Sequence, residues 1–155
     1  MTRYWLVSSK DISHIKTAYE RLMWGFWDRD IGEKLRQNWR RFIRTYDMIK
    51  PHDILIFQIA RTGDIHGIGL VKDKFYDEET PVWEIEIERR RVLFPWRISL
   101  WFMIFSEEPI LAGRFIRASN YIDGYGLGEI TEHDFRAVCN ALNERLKNVR
   151  LSIML

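Results

Sequence analysis

The sequence has little of several residue types that would assign it to a particular class of protein. Its single cysteine, Cys139, excludes an internal disulfide and a cysteine zinc cluster. Its apolar runs are much shorter than the roughly 18 residues of a membrane-spanning helix, and the first ten residues lack the features of a signal peptide. Four prolines and nine glycines form no linker or repeat. With 46% hydrophobic residues in 155, the chain is expected to be one soluble cytoplasmic domain over 1–155.

The familiar motifs of catalysis are also missing. The sequence contains no HExxH, no GxSxG, no GxxxxGK[ST] and no GxGxxG after a strand. The four histidines are scattered and have no metal-ligand spacing. Cys139 has apolar neighbours on a predicted helix, which favours a buried and inert thiol. We therefore expect no enzyme, no metal and no cofactor.

Aromatic residues and arginine are the abundant classes. Seven Trp, six Tyr and nine Phe make up 14% of the chain, and 17 of the 24 basic residues are arginine. The net charge is only +2, so the distribution of charge indicates a partner better than its sum does. High arginine and aromatic content with few Asn and Gln fits a thermophilic source.

The periodicity of the apolar residues predicts the order of secondary structure. A short strand comes first, a helix capped by Asp11 or Ser13 follows, and a run of strands precedes a final helix. This order predicts an α+β fold with a mostly antiparallel, curled sheet. The predicted strands are 4–7, 54–59, 65–71 and the alternating segment 83–88, and the predicted helices are 11–22, 32–49 and 131 to about 147.

The second predicted helix carries a stripe of arginines. Arg36, Arg40 and Arg44 are four residues apart, so they lie on one helix face, where like charges repel each other. Such a stripe favours an anionic partner, and arginine suits phosphate because its planar group donates paired hydrogen bonds. A second interpretation stays open, in which the stripe is solvated or pairs with the acidic residues of 83–88. The candidate phosphate-binding residues are Arg36, Arg40, Arg44, Arg114 and Arg117.

A cluster of aromatic residues surrounds Gly25. Trp24, Phe26 and Trp27 follow the first predicted helix and precede Asp28. Tryptophan is usually a core residue, and we interpret Trp5 and Trp39 in that way. A glycine-broken cluster beside a carboxylate is unusual for a core strand or a core helix.

Several segments together resemble the EVE domain and its relative the YTH domain, in the PUA-like superfamily. They recur in family order over nearly the whole chain. His52 stands where the family usually has glycine, and the basic helix at about 33–49 looks like an insertion. The matching segments are RYWLVSS (3–9), MWG (23–25), KPHDILIFQ (50–58), IHGIGLV (65–71) and GEITEHDFRAV (128–138).

The resemblance implies a PUA-like, curled, mostly antiparallel β-barrel flanked by helices, with a pocket for a modified base. Trp24 matches the pocket tryptophan of the family, and Ser8 and Ser9 match the polar end of its first strand. Tyr76 and Trp83 fall near the segment that supplies a second aromatic wall, while Trp27 and Asp28 are added for their proximity to Trp24. The candidate pocket residues are Ser8, Ser9, Trp24, Gly25, Trp27, Asp28, Tyr76 and Trp83.

The function implied is a non-catalytic reader of a methylated base flipped out of DNA or RNA. Modification-dependent restriction systems of the McrBC type carry such domains, so a motor or nuclease subunit is an expected partner, fused or associated. Two alternatives remain open. One is a ribonuclease or nucleotide hydrolase on the related ASCH fold, whose motif we do not find; the other is a protein-interaction domain whose tryptophans are all core.

Overall fold

The computed structural model describes residues 1–113 and 116–154, and for residues 31 and 149–152 it describes the backbone alone. The predicted α+β composition is confirmed, and helices flank one sheet. The elements are β1 (Tyr4–Ser9), α1 (Ile12–Arg21), β2 (Met23–Phe26), α2 (Ile31–Lys34), α3 (Gln37–Met48), β3 (Ile54–Ile59), β4 (Ile65–Tyr76), α4 (Glu84–Arg89), β5 (Trp96–Phe105), β6 (Ser119–Ile122), β7 (Leu127–Ile130) and α5 (Glu132–Met154).

The seven strands form a single open sheet in the order β2-β5-β4-β3-β1-β7-β6. The central β1–β3 pair is parallel and the other pairs are antiparallel, which confirms the mostly antiparallel prediction. The predicted closed barrel is corrected, because the edge strands β2 and β6 do not pair within the described residues. Helix α3 lies between these edges. Its Phe42 packs at 5.2 Å against Phe26 of β2 and at 5.0 Å against Tyr125, which follows β6.

Residues next to helix α1 define both of its ends. The Asp11 side chain accepts a hydrogen bond from the Ser13 amide at 2.9 Å, as predicted for an N-cap. The helix ends at Arg21 because the next residue, Leu22, has a left-handed φ of 53°. Ile15 and Ala18 bury one face against the sheet. The chain therefore turns directly into β2 and places Trp24 beside α1.

The second predicted helix is divided in two. Asp30 caps α2 by accepting from the Glu33 amide at 2.9 Å, and α3 begins after Arg36. Trp39, Phe42 and Tyr46 form the buried face of α3, so Trp39 is a core residue as predicted. Arg40 and Arg44 lie on the opposite, exposed face. Arg36 precedes α3 and has an extended backbone, so the predicted stripe of three arginines on one helix face is corrected to two.

The predicted strand at 83–88 is wrong. The segment forms the short helix α4, with Ile87 60% exposed and Glu86 fully buried. Alternation of Ile and Glu fits a strand with one wet face. In the structure the acid is buried instead of solvated, because the Glu86 carboxylate accepts hydrogen bonds from backbone amides.

Two apolar layers cover the two faces of the sheet. Trp5 and Val7 of β1 face α1 and α3, while Leu6 faces the side covered by α5. Trp5 is core as predicted, and its Nε1 donates to Asp53 at 2.9 Å. His52 adopts the left-handed φ of 73°, so the turn before β3 keeps a glycine-like geometry. No helix in the described part of the chain has both the length and the apolarity needed to cross a membrane.

Candidate functional site

A cavity of about 610 Å³ opens between the start of α1, strand β2, helix α4 and the β6–β7 turn. Its walls are aromatic, with several polar groups at the floor and rim. The sequence-predicted pocket residues that line it are Ser8, Ser9, Trp24, Gly25, Trp27 and Trp83. These residues come from three separate parts of the chain, and the fold brings them together.

Trp24 forms the first wall. Its indole is buried, with the edges of His14 and Phe57 each at 5.3 Å from ring centre to ring centre. Its Nε1 has no hydrogen-bond acceptor among the described residues. A buried donor without a partner is rare in folded proteins and is often explained by a functional role. Trp24 therefore belongs to the main hydrophobic core and also lines the cavity.

Trp83 and Phe94 form the second wall. Their rings pack edge to face at 5.5 Å, and Trp83 Nε1 donates to the His14 carbonyl at 3.2 Å. Gly25 of β2 lies directly beneath them. A Cβ at this position would be 2.8 Å from Phe94 Cβ and from Trp83 Cη2. Glycine is therefore required for this wall to pack against β2.

A buried carboxylate holds this second wall in place. Glu86 Oε1 accepts from the backbone amides of Val82 at 2.9 Å and Trp83 at 3.2 Å. Its Oε2 accepts from Leu93 at 2.7 Å and Phe94 at 2.9 Å. One side chain thus joins both ends of the 82–94 segment, from which the two wall aromatics project.

Arg97 of β5 compensates the buried charge of Glu86. Its Nη2 lies 3.4 Å from Glu86 Oε1, and its Nη1 lies 3.1 Å from Asp77 Oδ2. It also donates to the carbonyls of Phe94 and Thr80, at 3.0 and 2.6 Å. The guanidinium carbon is 5.6 Å from the centre of the Trp83 ring. The cationic partner of Glu86 is therefore Arg97. Glu86 does not pair with the arginines near α3, as one sequence interpretation had allowed.

His14 is a pocket residue that the sequence analysis missed. Its imidazole stacks on Trp83 at 5.1 Å with a 9° angle, and it meets the edges of Trp24 and Phe94. Burial lowers the pKa of His14 to about 4, although the nearby carboxylates of Glu86 and Asp11 act in the opposite direction. The ring is thus neutral at pH 7, with one donor and one acceptor nitrogen. His14 lies four residues before the buried Ala18 on α1. This helical spacing was the sequence signal that could have identified His14 as a pocket residue.

The β6–β7 turn closes the cavity on the side of β1. Ser8 donates its amide hydrogen to the carbonyl of Gly126 at 3.0 Å. Gly126 has a φ of 64°, and a Cβ there would lie 2.8 Å from the Ser8 carbonyl oxygen. This close approach places Gly124 and Tyr125 in the cavity wall.

Two of the predicted pocket residues lie in a neighbouring cluster. Asp28 accepts from Trp96 Nε1 at 3.1 Å and pairs with Lys34 at 3.0 Å. Tyr76 lies opposite Trp96 in the β4–β5 pairing and packs against it at 4.8 Å. Neither residue lines the aromatic cavity. Strand register places Tyr76 opposite Trp96, and Asp28, which follows β2, is held by its hydrogen bond from Trp96.

The predicted phosphate-binding arginines occupy two surfaces. Arg36 is exposed and pairs with Glu33 at 3.0 Å. Arg40 and Arg44 line an open depression of about 720 Å³ on α3, and within the described part of the chain neither forms an ion pair. Arg117 is exposed just before β6. Arg114 lies outside the described residues.

Side chains that bind metal ions are not grouped here. Among residues 1–113 and 116–154, no three His, Cys, Asp or Glu side chains lie together in a way that could hold a metal ion.

One relative has a closely similar sequence. The chain matches no protein-family model. It is 51% identical over 142 residues to the uncharacterized protein MJ1369 of Methanocaldococcus jannaschii, which covers 92% of this chain and 91% of that protein. The chain belongs to the MJ1369 family.

Several solved structures similar to this MJ1369-family protein are YTH domains. The Pho92 YTH domain in complex with m6A has a TM-score of 0.56 at 16% identity, covering 91% of this chain and 83% of that one. The Toxoplasma CPSF4 YTH domain in complex with a 7-mer m6A-modified RNA has a TM-score of 0.55 at 14% identity, covering 92% and 91%. At these identities the likeness shows the fold alone. The YTH part of the predicted resemblance is thereby confirmed at the level of the fold.

Proposed function

We propose that this protein is a non-catalytic reader of a methylated base in RNA or DNA, and that the aromatic cavity holds the base. The observation that carries this proposal is a cavity of about 610 Å³ lined by Trp24, Trp27 and Trp83, with the neutral imidazole of His14 packed against Trp24 and Trp83 in its wall. Two structures of the same fold, those of Pho92 and CPSF4, are complexes with m6A or m6A-modified RNA. Both facts support this choice over an enzyme.

For such a reader, the free-energy cost of taking a base out of its stack is similar to the gain from stacking it on an aromatic side chain. Taking a base out of a stack costs a few kcal/mol, and stacking on an aromatic side chain returns about 1–3 kcal/mol. A buried methyl group adds about 0.8 kcal/mol. The proposal therefore favours single-stranded or locally opened ligands, for which the cost of unstacking is smallest.

His14 supplies hydrogen bonds in an otherwise apolar enclosure. It covers one face of Trp83, so a base that stacks there displaces the imidazole. The ring then meets the base edge with one donor and one acceptor nitrogen. Ser8 and Ser9 also line the cavity. Their hydroxyls donate to Gln58 Oε1 at 3.0 Å and to the Asp11 carbonyl at 3.1 Å, so they offer acceptor oxygens to the base. A neutral base bearing an exocyclic amine matches this set of groups.

The arginines outside the cavity bind the phosphate chain in this proposal. We assign this role to Arg40 and Arg44 on α3, to Arg36 just before it, to Arg117 before β6 and, from the sequence alone, to Arg114. Arg40 and Arg44 form no ion pair among the described residues, so they gain most from an anionic ligand, whereas Arg36 is paired with Glu33. Contacts of arginine to phosphate carry no sequence information.

The finer parts of the proposal concern ancestry and partners. We propose kinship with EVE domains of the PUA-like superfamily, and a cytoplasmic role in targeting a motor or nuclease subunit of a McrBC-type restriction system to modified nucleic acid. In the alternative of a pure interaction domain, every tryptophan is core. Trp27 argues against it, since it is partly exposed and lines the cavity.

The test is a binding panel read by tryptophan fluorescence. Oligonucleotides carrying N6-methyladenine, 5-methylcytosine or 5-hydroxymethylcytosine, single- and double-stranded, are compared with unmodified strands. We expect one modified strand to bind at least tenfold more tightly than its unmodified counterpart. Equal affinity for all modified and plain strands would refute the proposal.

Three variants locate the binding site. Trp24→Ala and the more conservative Trp24→Phe are expected to abolish or reduce the preference for the modified strand. The matched control is Trp101→Ala, since Trp101 is 53% exposed on β5 and contacts Lys72 instead of the cavity. The control is expected to keep the preference. Thermal melting identifies any variant whose loss of binding comes from unfolding.

A further inference from the structure

Charge is distributed unevenly around the aromatic cavity. The charged residues that line it are Lys10, Asp11, Glu84 and Glu88. One base and three acids give this lining a net charge of −2. Glu84 and Glu88 are exposed on α4, so the α4 side of the cavity repels a phosphate group.

A second cavity adjoins the aromatic one at the β6–β7 turn. Its volume is about 460 Å³, and the exposed residue Gly124 lines both cavities. The charged residues of the second cavity are Arg29, Glu33, Arg36 and Asp123. Two bases and two acids cancel, so this surface neither attracts nor repels a phosphate chain by its net charge.

The open depression on α3 continues this surface. The exposed residue Gln37 lines both the second cavity and the depression of about 720 Å³. The charged residues of the depression are Lys34, Arg40 and Arg44, and no acid of the described chain lines it. Lys34 pairs with Asp28 at 3.0 Å, which leaves the two arginines for a ligand. The charge of the lining therefore changes from negative through neutral to positive between the aromatic cavity and α3.

The spacing of the two arginines fits a nucleic-acid strand. Arg40 and Arg44 are four residues apart on α3, which corresponds to about 6 Å along the helix axis. This distance is close to that between successive phosphates of an extended single strand. Trp39 and Ile43 line the same depression and offer an apolar surface to the sugars. The depression thus combines phosphate donors with an apolar floor.

We propose that a bound single strand leaves the aromatic cavity in one direction only, across Gly124 and Gln37 to Arg40 and Arg44. The nucleotides on that side of the modified base then make most of the phosphate contacts. Those on the other side meet the acidic α4 side of the cavity and add little affinity. The inference rests on the proposed function, because it needs the modified base in the aromatic cavity.

Two single-stranded hexamers of the same composition test the direction. One carries the modified base at its 5′ end and the other at its 3′ end, so both have the same number of phosphates. Pairs are made with N6-methyladenine, 5-methylcytosine and 5-hydroxymethylcytosine, in DNA and in RNA, and affinities are measured by calorimetry. In the pair that carries the preferred base, we expect one hexamer to bind the intact protein about tenfold more tightly than the other, because only its phosphates reach α3.

Two double variants connect this difference to α3. Arg40→Gln with Arg44→Gln removes two positive charges from the depression and is expected to lower the affinity of the tighter hexamer to that of the weaker one. The matched control is Arg89→Gln with Arg91→Gln, which removes the same charge from exposed residues at the end of α4. The control is expected to keep the tenfold difference. Thermal melting identifies any loss of binding that comes from unfolding.

The two proposals fail in different ways. If modified and plain strands bind equally in the panel, the proposed function is refuted and this inference with it. If a modified strand is preferred but its two hexamers bind equally, the inference alone is overturned. It is also overturned if the difference between the hexamers survives Arg40→Gln with Arg44→Gln, or if the control variant removes it.

Discussion

Replacing Glu86 by glutamine tests the central structural claim about the pocket wall. The carboxylate is fully buried and accepts four backbone hydrogen bonds, two on each oxygen. Glutamine has nearly the same size. It removes the negative charge beside Arg97 and turns one oxygen into an NH₂ group that faces two amide donors. The change thus affects electrostatics and hydrogen bonding while leaving packing almost intact.

The expected magnitude follows from these contacts. Removing one partner of a buried ion pair costs about 3–5 kcal/mol, and each buried donor left unsatisfied costs about 1–3 kcal/mol. These terms overlap because they share the same atoms, so we expect a loss of about 3–5 kcal/mol in the free energy of unfolding. For a domain of this size, each kcal/mol lowers the melting temperature by about 2–4 °C. The variant is expected to melt about 6–20 °C lower.

Chemical and thermal denaturation measure the loss, and Glu84→Gln is the matched control. Glu84 is an exposed acid on the same helix, so its replacement is expected to change stability by less than about 0.5 kcal/mol. NMR of the indole hydrogens adds a local measurement. The Trp83 signal, bonded to the His14 carbonyl, is expected to shift, while the signal of Trp5, bonded to Asp53, is expected to stay in place. A Glu86→Gln protein as stable as the control would refute the reasoning.

Three further predictions concern the wall, the imidazole and the arginines. Gly25→Ala places a methyl group 2.8 Å from Phe94 and Trp83, so we expect a loss of about 1–3 kcal/mol by denaturation and a weaker preference for the modified strand; unchanged values would contradict this. Burial lowers the pKa of His14 from 6.5 to about 4, so below pH 6.5 the unfolded chain gains a proton that the folded protein does not. The free energy of unfolding is therefore expected to fall by up to about 3 kcal/mol as the pH drops from 6.5 to 4, and His14→Gln is expected to remove most of this fall. Arg40→Ala and Arg44→Ala are each expected to weaken binding of modified and plain strands equally and to reduce the slope of log K against log salt by about 0.7–0.9, unlike Arg21→Ala at the end of α1.

Much of the fold was predictable because its signals are local. The apolar runs of β1 and β3 read as strands, and Asp11 identified the start of α1 correctly. The pocket tryptophan, Trp24, was singled out by its neighbours in the sequence and by the family resemblance. These features depend on contacts within a few residues of one another.

The segment 83–88 shows where local signals fail. Its alternating pattern predicted a strand with Glu86 on the solvated face. The buried carboxylate instead binds amides at both ends of a loop and pairs with Arg97, and the backbone forms a short helix around it. Long-range charge compensation outweighed the local alternation, and nothing in the periodicity reports it.

The sequence by itself determined the α+β class, most of the elements and the abundance of aromatic residues and arginine. Only the tertiary structure decided that the sheet stays open, that His14 joins Trp24 and Trp83 in one cavity, and that Asp28 and Tyr76 lie elsewhere. The physical reason is distance along the chain. Trp83 bonds to the His14 carbonyl across 69 residues, and Tyr76 meets Trp96 through strand register, so both placements depend on how distant segments pack.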